Sequence, residues 1–218
     1  AKTAYQNYDY VTVVNTISNF LTNELSSFYL DFTKDILYIE KVDDNNRRQS
    51  QTVIYDCLNA LLSLLAPIIS YTAEEIWSKA NTYDGKSVFL HNFPEVKDYS
   101  GSKELTEFYE KFFLVRDDVL KALENARVKE IIHKSLEAEV VLNLNPEYQA
   151  LSERYSPSQL AQLLIVSKVT YSKDKMEEYS IGSIEIKKAE GKVCQRCWNI
   201  VPEVNADGLC PRCEKVLK

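Results

Sequence analysis

Four of the five cysteines in this 218-residue chain stand in two Cys-x2-Cys pairs close to its end. The pairs are Cys194/Cys197 and Cys210/Cys213, with twelve residues between them. Turn-forming residues between the pairs favour a hairpin that brings them together. Two such pairs supply the four sulfurs of a tetrahedral zinc site, and four cysteine ligands leave no coordination position open for substrate. The spacing therefore predicts one structural Zn²⁺ bound by all four thiolates.

Redox chemistry and disulfide bonding are the other common uses of paired cysteines. A redox dithiol needs a thioredoxin-like βαβ setting, which the polar residues around these pairs do not provide. Secreted disulfide frameworks do not use this spacing, so we expect a reducing, cytoplasmic location. Cys57 stands apart in an apolar helical pattern and is expected to pack as a small hydrophobic residue.

Arg196 and Trp198 accompany the first cysteine pair: Arg196 lies between the two ligands and Trp198 directly follows the second. An indole and a guanidinium on a rigid loop can stack on an unpaired nucleobase and hydrogen-bond its edge. The indole could equally serve to cover the metal site. The residues by themselves leave both interpretations open.

The sequence does not group residues for catalysis. Neither histidine, His91 or His133, has a serine or cysteine nucleophile in a matching context. None of the five glycines belongs to a phosphate-binding loop motif. Adjacent carboxylates diverge around a helix, so we interpret two such pairs as solvated helix faces and a cap. These pairs are Glu74/Glu75 and Asp117/Asp118.

The overall charge is acidic, with 26 Lys and Arg against 32 Asp and Glu, a formal net charge of -6. Nucleic-acid-binding domains are usually basic, so a polyanion must meet local patches here. Residues 184–218 are the basic part, with 7 basic and 5 acidic side chains. No apolar run reaches the roughly 18 to 20 residues of a membrane helix, so we expect no membrane partner.

Residues 1–95 have helical periodicity. Apolar side chains recur every three or four residues in two successive stretches, which predicts two amphipathic helices joined by a turn. A third helix is expected to end or kink at Pro67. Thr72 and Glu75 have the spacing of a capping box, which predicts that a fourth helix starts at Thr72. Residues 87–90 are expected to form a short strand.

Residues 96–190 change from a helical to a partly alternating pattern. The sequence predicts a connecting helix over residues 103–126 and a second helix start at Ser156, Pro157 and Gln159, which have the types of a capped first turn. Three stretches have the pattern of strands. They are residues 136–144, 163–169 and 181–186.

Residues 191–218, called here the terminal segment, have too little apolar side chain to form a core alone, so zinc must offset the chain entropy. The predicted fold class is mainly α. A helical bundle (1–95) is followed by a connecting helix and small α/β junction domain (96–190) and by a C-terminal four-cysteine zinc knuckle (191–218).

Four stretches of the sequence match one family in the same order. They are residues 8–38 (YDY…NFLTNELSSFYLDFTKDILY), 64–77 (LLAPI…TAEEIW), 134–138 (KSLEA) and the terminal CQRCW…CPRC. Together they resemble the C-terminal portion of bacterial isoleucyl-tRNA synthetase, a class I aminoacyl-tRNA synthetase. The first is similar to the start of its helical anticodon-binding domain, the second to its leucine-proline…glutamate-x-tryptophan element, and the last to its zinc-binding end.

The resemblance implies a bundle of the anticodon-binding type, an α/β junction and a zinc-binding end that together recognise the anticodon of tRNA(Ile). In that family the arginine and tryptophan of the first cysteine pair, called here the first knuckle, approach the anticodon bases. These residues are Arg196 and Trp198 here. Phosphate contacts would come from scattered cations. The candidates are Arg47, Arg48, Lys134, Lys192 and Arg212.

The resemblance also implies that the catalytic half lies elsewhere. Neither the histidine-isoleucine-glycine-histidine nor the lysine-methionine-serine-lysine-serine signature occurs, and Lys173-Asp174-Lys175-Met176 is the nearest fragment. The implied partners are tRNA(Ile) and the catalytic and editing domains of the synthetase, which would use ATP. We expect the chain alone to be monomeric and unable to activate isoleucine.

A second hypothesis is a zinc-ribbon adaptor for protein–protein interaction, in which the acidic bundle packs on another protein. The net charge of -6 favours it. Phosphate contacts weaken steeply as salt rises, whereas an apolar protein contact barely responds, so a salt titration separates the two hypotheses.

Overall fold

A computed structural model describes residues 1–80, 84–96 and 101–218 of the chain. The chain divides into two compact units, Ala1–Asp98 and Tyr99–Lys218. Among the described residues, no helix combines the length and the apolar character needed to span a bilayer.

The first unit is helical. Asp9 accepts a hydrogen bond from the backbone N–H of Thr12 (3.0 Å), and Asp44 accepts one from that of Arg47 (3.0 Å), so a carboxylate caps each of two helix starts. The helices of this unit are α1 (Lys2–Gln6), α2 (Tyr10–Asn19), α3 (Leu30–Ile39), α4 (Asn45–Leu65) and α5 (Ser70–Lys79). Helix α4 ends just before Pro67, as predicted.

A π-helix, Phe20–Tyr29, joins α2 to α3 without interruption. The prediction of a turn between these two helices is therefore wrong. Residues 10–39 contain neither glycine nor proline, so nothing in the chain stops the helical hydrogen bonding. The backbone widens to the i to i+5 pattern instead of reversing direction.

Helix α5 does not start at Thr72, so the capping-box prediction is wrong. The helix begins two residues earlier, at Ser70, and the Ala73 N–H already donates to the Ile69 carbonyl (2.9 Å). Thr72 therefore lies inside the first turn. Glu75 instead forms an ion pair with Lys79 one turn later (2.5 Å).

Residues 87–90 form a 3-10 helix, Val88–Leu90, and not the predicted strand. The cause is Glu74, whose Oε2 accepts from the Ser87 hydroxyl and from the Val88 N–H, both at 2.9 Å. Trp77 holds the same segment, because its Nε1 donates to the Lys86 carbonyl (3.2 Å). Glu74 is thus a partner of a later segment and not part of a solvated helix face. The buried core at this point consists of Leu62, Ala66, Ala73, Trp77 and Val88.

The second unit is built on a 27-residue helix, α6 (Ser102–Val128), close to the predicted 103–126. Helix α8 (Pro157–Leu164) has the predicted capping box: the Ser156 hydroxyl accepts from the Gln159 N–H (3.3 Å), and Gln159 Oε1 accepts from the Ser156 N–H (3.0 Å). The other helical segments of this unit are α7 (Ala150–Arg154), α9 (Pro211–Leu217) and two 3-10 turns, Ser135–Glu137 and Pro146–Tyr148.

The second unit contains a four-stranded sheet of β1 (Ala138–Leu144), β2 (Lys168–Tyr171), β3 (Glu177–Tyr179) and β4 (Gly182–Lys188), in the order β2-β1-β4-β3. Strand β1 pairs in parallel with β2 and antiparallel with β4, so Val140 faces Val169 on one side and Ile186 on the other. The strand predicted over 163–169 is wrong in its first half, because the buried Leu163 and Leu164 complete α8. A separate hairpin consists of β5 (Lys192–Val193) and β6 (Ile200–Val201).

Candidate metal centre and nucleic-acid interface

Two elements of the terminal segment carry the four cysteines. The loop of the β5–β6 hairpin holds Cys194 and Cys197. Cys210 is the N-cap of α9, and Cys213 follows in its first turn. The first pair therefore lies on a hairpin loop, whereas a helix start presents the second.

The four sulfur atoms lie within 4.8 Å of one another, and all four cysteines are buried. The Cys197 and Cys210 sulfurs are 3.8 Å apart. A tetrahedron of Zn–S bonds of about 2.3 Å has sulfur–sulfur edges of about 3.8 Å, whereas a disulfide requires about 2.0 Å. The donor set therefore fits a tetrahedral zinc ion, and no fifth ligand is needed.

Backbone N–H groups point at these sulfurs. The Cys210 N–H donates to Cys194 Sγ (3.3 Å), and the Cys213 N–H donates to Cys210 Sγ (3.4 Å). Burial opposes ionisation of Cys194, but N–H donors from Cys197, Cys210 and Arg196 outweigh it and lower the pKa of its thiol to about 6.

Two of the four thiols resist ionisation. Burial raises the pKa of the Cys197 thiol. Burial also raises the pKa of the Cys213 thiol, as do the neighbouring sulfurs of Cys210 and Cys197. Four buried thiolates repel one another, so a divalent cation is what allows them to be ionised together. This charge requirement, like the geometry, suits zinc.

The chain reversal between the cysteine pairs is built around Asn205. Its Oδ1 accepts from the N–H groups of Asp207 (3.0 Å) and Leu209 (2.9 Å), and its own N–H donates to the Leu209 carbonyl (2.9 Å). The Gln195 N–H donates to the Gly208 carbonyl (3.0 Å), which ties this loop to the first pair. The reversal predicted here from turn-forming residues is therefore present.

Trp198 is held in a conformation that non-glycine residues rarely adopt. Its φ is +63°, in the left-handed region, and its N–H donates to the Cys194 carbonyl (2.9 Å). The residue is 68% exposed, so its indole covers little of the cysteine cluster. The turn around the sulfurs thus directs a large aromatic ring into solvent.

Arg196 is oriented differently from Trp198. It is half-buried, and its side chain hydrogen-bonds the Cys213 sulfur. Arg196 is thereby attached to the metal cluster, and it helps to balance the thiolate charge. The first knuckle therefore presents an anchored cation beside an exposed aromatic ring.

The candidate phosphate-binding cations have different environments. Arg47 Nη1 donates to the Glu40 carbonyl (3.0 Å), and Arg48 Nη1 donates to Gln51 Oε1 (3.2 Å). Three further candidates lie in the second unit. Lys134 and Lys192 are exposed, and Arg212 is half-buried.

Comparison with known protein families agrees with this geometry. The family described as "Anticodon-binding domain of tRNA ligase" matches residues 1–142. The chain belongs to this anticodon-binding family. A second family, "Zinc finger found in FPG and IleRS", matches residues 191–216, which include all four cysteines. The terminal segment of this anticodon-binding chain therefore carries one structural zinc, as predicted.

Three curated relatives of this anticodon-binding chain have the name isoleucine–tRNA ligase. The protein of Staphylococcus epidermidis is 45% identical over 98% of the chain and 24% of its own length. That of Lactobacillus helveticus is 43% identical over 99% and 24%. That of Bacillus licheniformis is 40% identical over 100% and 24%. The chain thus spans about a quarter of the length of these relatives.

Proposed function

We propose that this chain is the C-terminal, anticodon-binding part of an isoleucine–tRNA ligase and that it recognises tRNA(Ile). Relatives of that name from Staphylococcus, Lactobacillus and Bacillus match the chain over nearly its whole length. ATP-dependent aminoacylation would belong to a catalytic part outside these residues. The partners are the tRNA and the remainder of the ligase, and the chain is monomeric.

The proposed domains follow the division expected from the sequence. Residues 1–95 form the anticodon-binding bundle, residues 96–190 the junction, and residues 191–218 the zinc-binding domain. The family match to residues 1–142 covers the first of these segments and continues into the second, and the match to residues 191–216 supports the third.

The single observation that carries the proposal is the 68% exposure of Trp198 on a loop that four cysteines close. A base stacked on an aromatic side chain contributes ~1–3 kcal/mol. Bound zinc orders the loop before tRNA arrives, so the affinity for tRNA is not lowered by the entropy cost of ordering the loop. Trp198 then provides a preformed surface for an unpaired anticodon base.

Arg196 would supply the directional part of recognition. A guanidinium carries five N–H donors in a fixed plane, which suits the acceptor edge of a base. Its hydrogen bond to the Cys213 sulfur holds the side chain at the knuckle. Stacking on Trp198 and hydrogen bonding from Arg196 together give base selection without a strongly basic surface.

The test compares binding of an isoleucine tRNA transcript with that of a transcript whose anticodon is replaced. Trp198→Ala should weaken binding of the isoleucine tRNA by ~1–3 kcal/mol with unchanged zinc content. Trp198→Phe retains a ring and should retain most of the affinity. Val193→Ala, which alters another exposed apolar residue of the same hairpin, is the control. Equal affinity of Trp198→Ala and the unsubstituted chain would contradict the role of Trp198.

The adaptor hypothesis is the second candidate, and the net charge of -6 favours it. Titration with salt separates it from tRNA recognition, because each phosphate contact makes the affinity fall with increasing salt. A complex with tRNA that weakens with salt and depends on the anticodon supports the first candidate. Binding that does not depend on the anticodon would contradict the first candidate.

A further inference from the structure

Ser167 lies between α8 and β2, and its hydroxyl joins two distant segments. Its Oγ donates to the Leu136 carbonyl (2.5 Å) and accepts from the Ile200 N–H (2.7 Å). The Ser167 N–H also donates to the Ala138 carbonyl (3.2 Å). One serine therefore connects the entrance of β1 to the hairpin that carries the first cysteine pair.

The segment at residues 136–138, which accepts hydrogen bonds from Ser167, is itself fixed by further hydrogen bonds. Glu137 Oε2 accepts from the N–H groups of His133 (2.8 Å) and Lys134 (3.4 Å), which shapes the turn before β1. The Glu137 carbonyl accepts from the Ala189 N–H (2.8 Å), at the point where the chain leaves β4 for the terminal segment. Three successive carbonyls, those of residues 136–138, are thus occupied by Ser167 or Ala189.

The backbone before Ser167 is strained in a way that helps to place it. Ile165 ends α8 with φ +58°, in the left-handed region that a β-branched residue seldom occupies. The Val166 N–H donates back to the Ala161 carbonyl (3.0 Å), which closes the helix. This abrupt ending turns the chain so that Ser167 faces Leu136 and Ile200.

Ile200 is two residues beyond Trp198 on the same short hairpin. The Cys194 N–H donates to the Asn199 carbonyl (2.9 Å), and the Trp198 N–H donates to the Cys194 carbonyl (2.9 Å). These hydrogen bonds make the loop between β5 and β6, which carries Cys194 and Cys197, rigid. A hydrogen bond that fixes Ile200 at the base of this hairpin therefore fixes the orientation of Trp198 relative to the four-stranded sheet.

We propose that Ser167 is a positioning residue for anticodon recognition: its hydroxyl locks the zinc hairpin to the four-stranded sheet and so sets the orientation of Trp198. The effect on tRNA binding rests on the proposed function. The attachment of the hairpin through the Ile200 hydrogen bond does not depend on the proposed function. Ser167 itself contacts neither metal nor base.

The experiment uses the zinc-loaded chain and three substitutions at one position. Ser167→Thr keeps the hydroxyl, Ser167→Val has nearly the size of threonine without it, and Ser167→Ala removes it with less bulk. The matched control is Ser152→Ala, which deletes another hydroxyl of the second unit that donates to a backbone carbonyl, that of Gln149. Zinc content is determined for every sample.

Two readouts are taken on the same samples. The first is amide hydrogen exchange at Ile200. The second is the ratio of affinities for an isoleucine tRNA transcript and its anticodon-replaced counterpart. In Ser167→Val and Ser167→Ala we expect the Ile200 amide to exchange at least about fivefold faster and the affinity ratio to fall about fivefold, the change expected for one hydrogen bond. Zinc content should not change, and Ser167→Thr and Ser152→Ala should behave as the unsubstituted chain.

Unchanged Ile200 exchange in Ser167→Val overturns the lock, and an unchanged affinity ratio overturns its role in recognition. A Ser167→Thr variant as defective as Ser167→Val also overturns the proposal, because size and not the hydroxyl would then be responsible. Failure of the proposed function has a different signature. The unsubstituted chain itself would then bind both transcripts equally, while the exchange data still decide whether Ser167 holds the hairpin.

Discussion

Asp118 on α6 and Ser180 in the turn between β3 and β4 are 62 residues apart in sequence, and the Ser180 hydroxyl donates to Asp118 Oδ2. The same oxygen accepts from the Ile181 N–H (3.2 Å). Asp118 is only 3% exposed, so the interpretation of this carboxylate as part of a solvated helix face is wrong. The pair ties the long helix to the hairpin at the edge of the four-stranded sheet.

Removal of this carboxylate should destabilise the second unit. Asp118→Ala leaves the buried Ile181 N–H and the Ser180 hydroxyl without their acceptor, which costs ~1–3 kcal/mol. Asp117→Ala is a matched control, because Asp117 is the adjacent residue and is exposed; its effect should stay within about 0.5 kcal/mol. Urea unfolding of the three chains measures the difference. Equal losses in both variants would show that the hydrogen bonds of Asp118 contribute nothing.

Asp118 should also make the free energy of unfolding depend on pH at acidic pH values. Burial alone would raise its pKa, but hydrogen bonds from Ser180, Lys121 and Ile181 outweigh burial and hold the pKa below its ordinary value of 3.8. A carboxylate with a lowered folded-state pKa stabilises the fold fully above the ordinary pKa, and this contribution disappears as pH falls through the lowered one.

The free energy of unfolding of the unsubstituted chain should therefore exceed that of Asp118→Asn by a constant amount between about pH 5 and 7. The excess should shrink below the ordinary pKa of 3.8. Urea unfolding at a series of pH values gives both curves. If the difference in unfolding free energy between the two chains stays constant at pH values well below 3.8, the charge of Asp118 is not what stabilises the turn.

Zinc removal should unfold the terminal segment and leave the four-stranded sheet intact. Structural zinc in finger peptides contributes an apparent ~10–16 kcal/mol at neutral pH, and this segment has few apolar side chains to replace it. Chelation should abolish amide protection at Trp198 and Leu209 while β1 and β4 stay protected. Cys213→Ser should mimic chelation, whereas Cys57→Ser should bind zinc normally. A protected terminal segment in metal-free protein would contradict a structural role.

Trp198 should be a site where stability and binding oppose each other. A left-handed backbone costs an L-residue about 1–2 kcal/mol, and asparagine tolerates it better than tryptophan. Trp198→Asn should therefore hold zinc against a competing chelator at least as well as the unsubstituted chain while binding isoleucine tRNA more weakly. Chelator competition and tRNA titration measure the two properties. Weaker zinc retention would mean that the indole stabilises the knuckle.

Local features of this chain could be read from its sequence because their partners are close by. The Ser156–Gln159 capping box joins residues three apart, and its predicted geometry is present. The cysteine spacing likewise confines each ligand pair to one loop or one helix turn. In both cases a few neighbouring residues contain all the groups that interact.

Features that depend on distant partners could not be read in this way. Glu74 interacts with Ser87 and Val88, 13 and 14 residues later, so its type and neighbours alone suggested a solvated position. Ser167 meets Leu136 and Ile200, 31 and 33 residues away. Nothing local distinguishes such residues from surface ones, because only the fold decides which groups approach them.

Residues Phe20–Tyr29 close their hydrogen bonds from i to i+5, one residue more than an α-turn spans. Deletion of a single codon in this stretch can be absorbed when i to i+5 bonds become i to i+4 bonds. No loop has to be rebuilt, because helical bonding continues on both sides. A chain shortened by one residue in this stretch should therefore keep α2 and α3 as parts of one continuous helix.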